Sequence, residues 1–331
     1  MEPKISIKDA AKVLGITIQS LHKKIKKHDI PIKLSGNKHF FTHDNAKAIF
    51  NFNFKPKIIS FQIVKGGTGK TALASACAAR ASLLGARVLC VDLDQQSNLT
   101  TTFGIKRITN ENPVMIDVLN KEAQITEGII KISEGIHLFP SRIENAVIDS
   151  FLLLNKKNLD TLYGKILAPL KKLYDLIVID CPPALGPSVA AVTLASDIVV
   201  APVSPEVGGI SGLALSFSEL SKLEEEYGKK INIKIIQNKF DSRTRLSRDT
   251  FAHLLEHPQY RKCTFSTHVR LSQTFPNSHA EGVSIYDTLE QTGAQEDIDV
   301  ITREILEIMS EEEKILKIES TESTEATLVL N

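Results

Sequence analysis

The sequence predicts an α/β protein in which a mostly parallel sheet is covered by helices on both faces, with a small basic domain in front of it. The first observation behind this prediction is that short, almost continuously apolar segments alternate with longer helical segments from residue 58 onward. This is the pattern of strands that are buried on both faces. The second observation is a charge asymmetry: residues 1–57 hold twelve lysines, no arginine and four acidic residues, a net charge of +8, whereas all 331 residues together carry +1. A basic segment of this kind is suited to an anionic partner such as nucleic acid.

We expect three parts of the chain from these patterns: a basic domain at 1–55, an α/β domain at 56–318 and an acidic tail at 319–331. Pro56 marks the first boundary, because it interrupts regular structure directly before the first apolar strand. The low hydrophobicity of the tail predicts disorder. No apolar stretch is long enough to cross a bilayer, the N-terminus has no apolar signal segment, and the four cysteines are scattered. We therefore expect a protein of the reducing cytoplasm.

The basic domain is predicted to begin with two short helices joined by a turn at Gly15, because apolar residues recur at helical spacing on either side of it. Thr17 can cap the second helix, and residues 30–41 alternate as in a β-hairpin. This order resembles the winged helix-turn-helix of MerR-type regulators and excisionases. The second helix would present side chains for base edges and for phosphates, namely Gln19, Ser20, Lys23, Lys26 and Lys27. The alternative is a solvated lysine-rich face on an accessory domain.

The most specific motif of the chain is Lys65-Gly-Gly-Thr-Gly-Lys-Thr71, which lies between an apolar segment of strand type and an Ala/Leu-rich helical segment. A strand, a Gly-rich turn and a helix are the context that a phosphate-binding loop (P-loop) requires. The glycines allow backbone N–H groups to face phosphate oxygens at a helix N-terminus. Nucleotide contacts are expected from Gly66, Gly67, Thr68, Gly69, Lys70 and Thr71, with Lys70 at the β- and γ-phosphates and Thr71 on Mg²⁺.

Two further predicted strands end in carboxylates. The first closes with Asp92 and Asp94, and the second closes with Asp180, which Cys-Pro-Pro follows. Ligands of open α/β sheets bind at the carboxyl ends of the strands, so these side chains are expected beside the phosphates. Their hard oxygen atoms suit Mg²⁺. A cap of the next turn is the alternative for Asp92 and Asp94, and a buried structural carboxylate is the alternative for Asp180.

Together these motifs resemble the ParA/MinD superfamily of ATPases, whose deviant Walker A loop contains two lysines and whose switch II segment begins with D-C-P-P. The resemblance covers about residues 58–310 and implies ATP and Mg²⁺ as cofactors. It implies catalytic roles for Lys65, which would cross a dimer interface to the partner's nucleotide, for Lys70, and for Asp94, which would position the attacking water. It also implies the remaining site roles, with Thr71, Asp92 and Asp180 at the metal and Asn238 at the base. A strand-end turn is the alternative role of Asn238.

The same resemblance implies DNA partition by an ATP-bound homodimer. Such a dimer binds DNA without sequence preference and is released when a ParB-like centromere-binding protein stimulates its slow hydrolysis. In ParA proteins, basic residues in regions that correspond to those of Arg243, Arg245 and Arg270 contact DNA phosphates. An ion-paired surface is the alternative for these arginines. The basic domain would bind the operator of its own operon and repress it.

Two other functions stay open from the sequence. A nucleotide-switched transcription regulator without a partition role would not need a water-positioning Asp94. A MinD-like membrane ATPase is disfavoured, because the periodic segment at 298–318 is acidic and suits anionic lipid poorly. A cytoplasmic, nucleoid-associated partition ATPase is therefore the leading hypothesis.

Overall fold

The computed structural model describes residues 1–206 and 208–308, so the predicted tail at 319–331 lies outside the described residues. We call residues 1–56 the head. Its elements are β1 (Ile5–Ser6), α1 (Ile7–Val13), α2 (Ile18–Lys27), β2 (Lys33–Ser35), β3 (Lys38–Phe41) and α3 (His43–Phe50). The Ser6 side chain caps α1 by accepting from the Asp9 N–H, and the Thr17 side chain caps α2 by accepting from the Ser20 N–H. Strand β3 lies between β1 and β2 and is antiparallel to both.

Residues from 57 onward form the body, whose central sheet is mostly parallel, as the apolar segments predict. Its strands are β4 (Lys57–Phe61), β5 (Val88–Asp92), β6 (Ile130–Ser133), β7 (Ile136–Phe139), β8 (Leu176–Asp180), β9 (Ile198–Val203) and β10 (Ile233–Gln237). In the described part of the body their order is β10-β9-β4-β8-β5-β7-β6, and the neighbouring pairs are parallel except β6–β7. The sequence did not predict the antiparallel β6–β7 hairpin, because its two segments are short and of mixed polarity.

Helices cover both faces of the central sheet. They are α4 (Lys70–Leu83), α5 (Asn98–Thr102), α6 (Met115–Leu119), α7 (Ile148–Leu154), α8 (Leu162–Leu167), α9 (Pro187–Ala195), α10 (Gly209–Tyr227), α11 (Arg245–Glu256), α12 (Thr274–Glu281) and α13 (Gly293–Ile305), with 3₁₀ turns at Ile125–Gly128, Ile143–Val147 and Ala168–Lys172. Alternate strand residues pack on opposite faces, with Ile59 and Val178 on the α4 side and Ile58 and Ile177 on the other. This two-sided burial explains the continuous apolar runs.

Helix α13 covers the first part of the periodic acidic segment at 298–318. Its apolar residues Ile298, Ile301 and Ile305 are buried, and the helix packs against α4. The apolar face of α13 therefore belongs to the core, while residues 309–318 lie outside the described residues. In the described ranges we find no helix that is both long enough and apolar enough to span a membrane.

The head packs directly on the body, and the two share one hydrophobic core. Phe41, Ile49 and Phe50 of the head belong to the same buried cluster as the apolar residues of α4. The contact is tight at Gly85, where a Cβ atom would lie 2.8 Å from the Cα atom of Lys47. His43 lies beside the end of α4, with its Nδ1 atom 3.0 Å from the carbonyl oxygen of Ser82. The position of the head is therefore set by the helix that follows the P-loop.

Candidate nucleotide-binding site

The loop between β4 and α4 has the backbone conformation that a phosphate-binding loop needs. Gly67 and Gly69 have φ angles of +75° and +93°, in the left-handed region that favours glycine. Helix α4 begins immediately after the loop, so its free N–H groups and its positive end face the loop. Of the predicted phosphate-binding residues, Gly66, Gly67, Gly69, Lys70 and Thr71 line one cavity, while Thr68 is fully buried behind them.

This cavity has a volume of about 660 Å³, which is typical of a small-molecule site. One wall is the P-loop with the first turns of α4, and the opposite wall is the segment 270–285, which contributes Phe275, Pro276 and His279. The sequence did not predict this second wall. Helix α12 has no buried residue, and its sequence accordingly shows no apolar residues repeated at helical spacing. Parallel bridges from Ile235 to Thr264 and from Phe240 to Arg270 bring the segment to the sheet edge.

Thr71 and Asp180 meet at the base of the cavity. The Thr71 hydroxyl donates to Asp180 Oδ2 at 2.6 Å, whereas Asp180 Oδ1 is buried and has no hydrogen-bond partner among the described residues. Burial, and next the charge of Asp92, raise the pKa of the Asp180 carboxyl well above its ordinary value. An unsatisfied buried carboxylate oxygen is what a nearby cation or its water ligands would satisfy.

Asp92 and Asp94 have different surroundings, although they are two residues apart. Asp92 lies opposite Asp180 in the sheet and is fully buried; its Oδ2 accepts from the N–H of Thr100 at 2.8 Å and from its hydroxyl at 2.7 Å. Burial raises the pKa of the Asp92 carboxyl to about 7, against the effect of these hydrogen bonds. Asp94 instead lines the cavity, and its Oδ1 accepts from the Gln96 N–H at 2.9 Å. Asp92 thus anchors the loop after β5, while Asp94 faces the ligand space.

The two lysines of the loop also differ in their positions. Lys70 is 7% exposed, lines the cavity, and has its pKa lowered by burial against the opposing charges of Asp180 and Asp94. The ammonium of Lys65 points to the β9–α10 connection, where it lies 3.7 Å from a carboxylate oxygen of Glu206. Lys70 therefore faces the cavity, and Lys65 lies at the side of the loop.

Asn238 braces the P-loop from the end of β10. Its side-chain Nδ2 donates to the Thr68 carbonyl oxygen at 2.7 Å, and a Cβ atom at Gly69 would overlap with the same nitrogen. The residue also lines the cavity. Its predicted contact with the base stays a prediction, since the hydrogen bond that we observe is to the loop.

The residues present fit a Mg²⁺ ion that is held partly by phosphates. In the described ranges no group of three or more His, Cys, Asp or Glu side chains forms a complete metal cage. Thr71 and Asp180 nevertheless offer a hydroxyl and an unpartnered carboxylate oxygen at the phosphate loop. Mg²⁺ usually takes few protein ligands and completes its octahedron with water and substrate phosphates, so this donor set is sufficient.

The residues predicted to contact DNA are on the surface of both the head and the body. On α2, the side chains of Gln19, Ser20, Lys23, Lys26 and Lys27 are all exposed. The three arginines of the body are exposed but ion-paired. Arg243 lies 2.8 Å from Asp241, Arg245 3.1 Å from Asp249, and Arg270 2.7 Å from Asp297 and 3.1 Å from Glu296. Because Asp297 is buried, the Arg270 pair also has a structural role.

A P-loop on β4 with aspartates at the ends of the adjacent β8 and the next strand β5 defines a P-loop nucleotide-binding protein of the parallel-sheet class. Residues 56–235 match the family model AAA_31, described as an AAA domain. The sporulation initiation inhibitor protein Soj of Bacillus subtilis is 30% identical over 236 residues, which are 70% of this chain and 91% of Soj. The chain therefore belongs to this AAA domain family of ParA-type ATPases. The chromosome-partitioning ATPase Soj of Treponema pallidum is 28% identical, over 76% of this chain and 97% of its own length.

Solved structures share the fold of the body. McdA of Cyanothece in a complex with ATP superposes with a TM-score of 0.68 at 22% identity, over 78% of this chain and 99% of McdA. A putative plasmid partition protein of Borrelia burgdorferi bound to AMPPNP superposes with a TM-score of 0.61 at 22% identity, over 77% of this chain and all of that protein. These likenesses confirm the predicted P-loop fold with its mostly parallel sheet.

Proposed function

We propose that this protein is an ATP-dependent DNA-partition ATPase that acts in plasmid or chromosome segregation. The observation that carries the proposal is that a two-lysine P-loop, the Thr71–Asp180 pair and the cavity-facing carboxylate of Asp94 meet in one site. Similar proteins that are described as a chromosome-partitioning ATPase and as a putative plasmid partition protein support the same function.

The chain's own groups account for nucleotide binding and for hydrolysis. The backbone N–H groups of the loop and the ammonium of Lys70 bind the phosphates, and the low dielectric around a buried lysine strengthens that attraction. Thr71 and Asp180 would hold Mg²⁺, which supplies charge neutralisation at the phosphates when it is bound. Asp94, whose carboxylate is oriented by the Gln96 N–H, positions the attacking water on the cavity side.

Two copies of the chain would complete each other's sites in the ATP-bound homodimer. Lys65 of each subunit would leave Glu206 and reach the phosphates of the partner's nucleotide, where a positive charge stabilises the transition state as an arginine finger does. The ion pair with Glu206 is partly exposed, so the pair itself contributes little free energy. Dimerisation and hydrolysis are linked in this way through one side chain.

The dimer would bind DNA in two ways. Exposed arginines on the body, including Arg243 and Arg245, would contact phosphates without sequence preference. The head would act as a winged helix-turn-helix, with α2 in the major groove of the operator, and would repress its own operon. A ParB-like partner bound to the centromere would stimulate hydrolysis and release the protein from the nucleoid. The domain limits of 1–55 and 56–318 would then separate operator binding from ATP hydrolysis.

Solution mass and hydrolysis, measured together with ATP and Mg²⁺, test this cycle. We expect the wild type to dimerise and to hydrolyse ATP slowly. Asp94→Ala should dimerise without hydrolysis, and Lys65→Ala should bind ATP but stay monomeric. Lys55→Ala, in the exposed linker before the P-loop strand, is the matched control and should behave as the wild type does. A wild type that binds ATP and remains monomeric would contradict the proposal.

The tight packing of the head on α4 favours a second candidate, a nucleotide-switched transcription regulator. This function needs nucleotide binding but not hydrolysis. The Asp94→Ala variant separates the two functions in cells that carry the protein's own replicon. Partition fails in that variant if ATP hydrolysis drives the cycle, whereas a pure regulator keeps repression and replicon stability.

A further inference from the structure

The first residues of the head reach the wall of the nucleotide cavity. Met1 lines the cavity together with residues 283–285. The backbone N–H of Lys4 donates to the Tyr286 carbonyl oxygen at 2.8 Å, and the backbone N–H of Glu2 donates to Asp287 Oδ1 at 3.1 Å. The start of the head is therefore joined by two hydrogen bonds, one to a backbone carbonyl and one to a carboxylate, to the residues that directly follow the cavity wall.

A second connection joins the head to the helix of the P-loop. Arg80 lies on α4 and is only 1% exposed. Its guanidinium donates to Asp9 Oδ2 of α1 at 2.9 Å and, through Nε, to Asp299 Oδ1 of α13 at 2.7 Å. A buried arginine needs both carboxylates to compensate its desolvation, so the three helices are held in one arrangement.

These two connections join the head to the two elements that form opposite walls of the cavity, at positions just beyond the lining residues. Lys70 and Arg80 are ten residues apart on one continuous helix, a distance of about 15 Å along its axis, so one helix connects the phosphate loop to the residue that binds Asp9. The hydrogen bonds of Glu2 and Lys4 hold residues 286 and 287, which directly follow the opposite wall. A ligand between the walls acts on both connections at once.

We propose that the head is a structural component of the nucleotide site, so that nucleotide binding and head docking stabilise each other. Ligand binding and a conformational equilibrium that are coupled in this way change each other's equilibrium constants by the same factor. This inference rests on the proposed nucleotide binding at the cavity, but it does not rest on operator binding by the head.

Binding of ADP–Mg²⁺ to the full-length chain tests the inference, because ADP reports on the site without the dimer. Asp9→Asn removes the charge that the head supplies to Arg80, and Asp44→Asn removes the same charge from an exposed position of the head. We expect Asp9→Asn to weaken ADP binding about 5-fold or more, the lower end of typical couplings, and Asp44→Asn to leave it unchanged. Equal ADP affinity of a folded Asp9→Asn and the wild type would overturn the inference.

Hydrogen exchange of the wild type gives a second measurement that needs no variant. ADP–Mg²⁺ should slow the exchange of the Lys4 amide and of the α1 amides by about the same 5-fold factor, together with the P-loop amides. If the P-loop amides are protected and those of the head are not, the inference fails and the proposed nucleotide function stands. If ADP protects neither region, the proposed function fails and the inference falls with it.

Discussion

The hydroxyl of Thr71 donates to Asp180 at 2.6 Å, and this bond joins the first turn of α4 to the carboxyl end of β8. The other oxygen of Asp180 is buried without a hydrogen-bond partner in the described ranges. Such an oxygen lowers the stability of the folded chain, because its hydration is lost and nothing replaces it. The base of the site is therefore arranged for a cation at a cost in stability.

Replacing the Asp180 carboxylate should remove the response of the protein to Mg²⁺ without lowering its stability. We expect Asp180→Asn to keep or raise the melting temperature without nucleotide, because a neutral amide replaces a carboxyl whose charged form burial destabilises. It should also abolish the extra stabilisation that Mg²⁺ adds to ADP, which at saturating ADP is about 1.4 kcal/mol for each tenfold by which Mg²⁺ tightens ADP binding. Thermal unfolding with ADP, with and without Mg²⁺, measures both effects. Full Mg²⁺-dependent stabilisation in the variant would refute the role of Asp180.

Gly69 should be intolerant of any side chain. Gly69→Ala places a Cβ atom on the Asn238 side-chain nitrogen and also requires a φ of +93°. We expect loss of nucleotide binding as measured by titration with a fluorescent ADP. Gly228→Ala is the control, since Gly228 has a φ of +62° but no atom of the described chain within 4 Å of its Cβ position. The control should cost about 1–2 kcal/mol of stability and leave binding intact. The double variant Gly69→Ala, Asn238→Ala should recover part of the nucleotide binding, because it removes the nitrogen with which the new Cβ atom overlaps. No recovery would argue against this overlap as the cause of the loss.

Arg243 and Arg270 should respond differently to removal. Arg243→Ala should leave the melting temperature unchanged and reduce the slope of log affinity for DNA against log salt by about 1, if the residue contacts one phosphate. Arg270→Ala leaves the buried Asp297 with the backbone N–H of residue 270 but without the guanidinium, and should cost about 1–3 kcal/mol of stability. Salt titrations of DNA binding with ATP, together with urea unfolding, measure the two effects. An unchanged salt slope in Arg243→Ala would remove this arginine from the DNA surface.

The junction of head and body should weaken at acidic pH. Burial lowers the pKa of His43 from its ordinary 6.5, so as the pH falls below 6.5 this residue binds more protons in the unfolded chain than in the folded one. Stability should therefore fall as the pH drops through 6.5, by at most about 1.4 kcal/mol per pH unit from this residue. Urea unfolding between pH 7.5 and 5.5 should give a shallower pH dependence for His43→Gln than for the wild type, while the exposed His22→Gln should match the wild type. Equal pH dependence in the wild type and both variants would show that His43 is not a source of the pH dependence.

Most of the site could be predicted from the sequence, because its residues belong to local patterns. The P-loop, the Asp92 and Asp94 pair and Asp180 each follow an apolar strand, and the parallel arrangement brings the ends of those strands together. The differing surroundings of Asp92 and Asp94 could not be predicted, since they depend on Thr100 and on the loop that follows.

The contacts between distant segments could not be predicted. The wall at 270–285 reaches the P-loop through two isolated bridges, for which the sequence has no signal. Arg80 sits in an Ala-rich helix and looks like a solvated residue, yet its partners Asp9 and Asp299 are 71 and 219 residues away. Pro56 was expected to separate two domains, and the hydrophobic core nevertheless continues across it.

DNA binding by the full-length chain without nucleotide, with ADP and with ATP–Mg²⁺, across a salt series, distinguishes a partition ATPase from a DNA-binding regulator. The variants to compare are Lys65→Ala, Lys70→Ala and a head variant with Lys23, Lys26 and Lys27 changed to alanine, which keeps the shared core intact. The account predicts non-specific binding that needs ATP, falls steeply with salt, survives in the head variant and is lost in both P-loop variants. Binding that ignores ATP and disappears in the head variant would contradict a partition ATPase and would leave a DNA-binding regulator on a nucleotide-binding body.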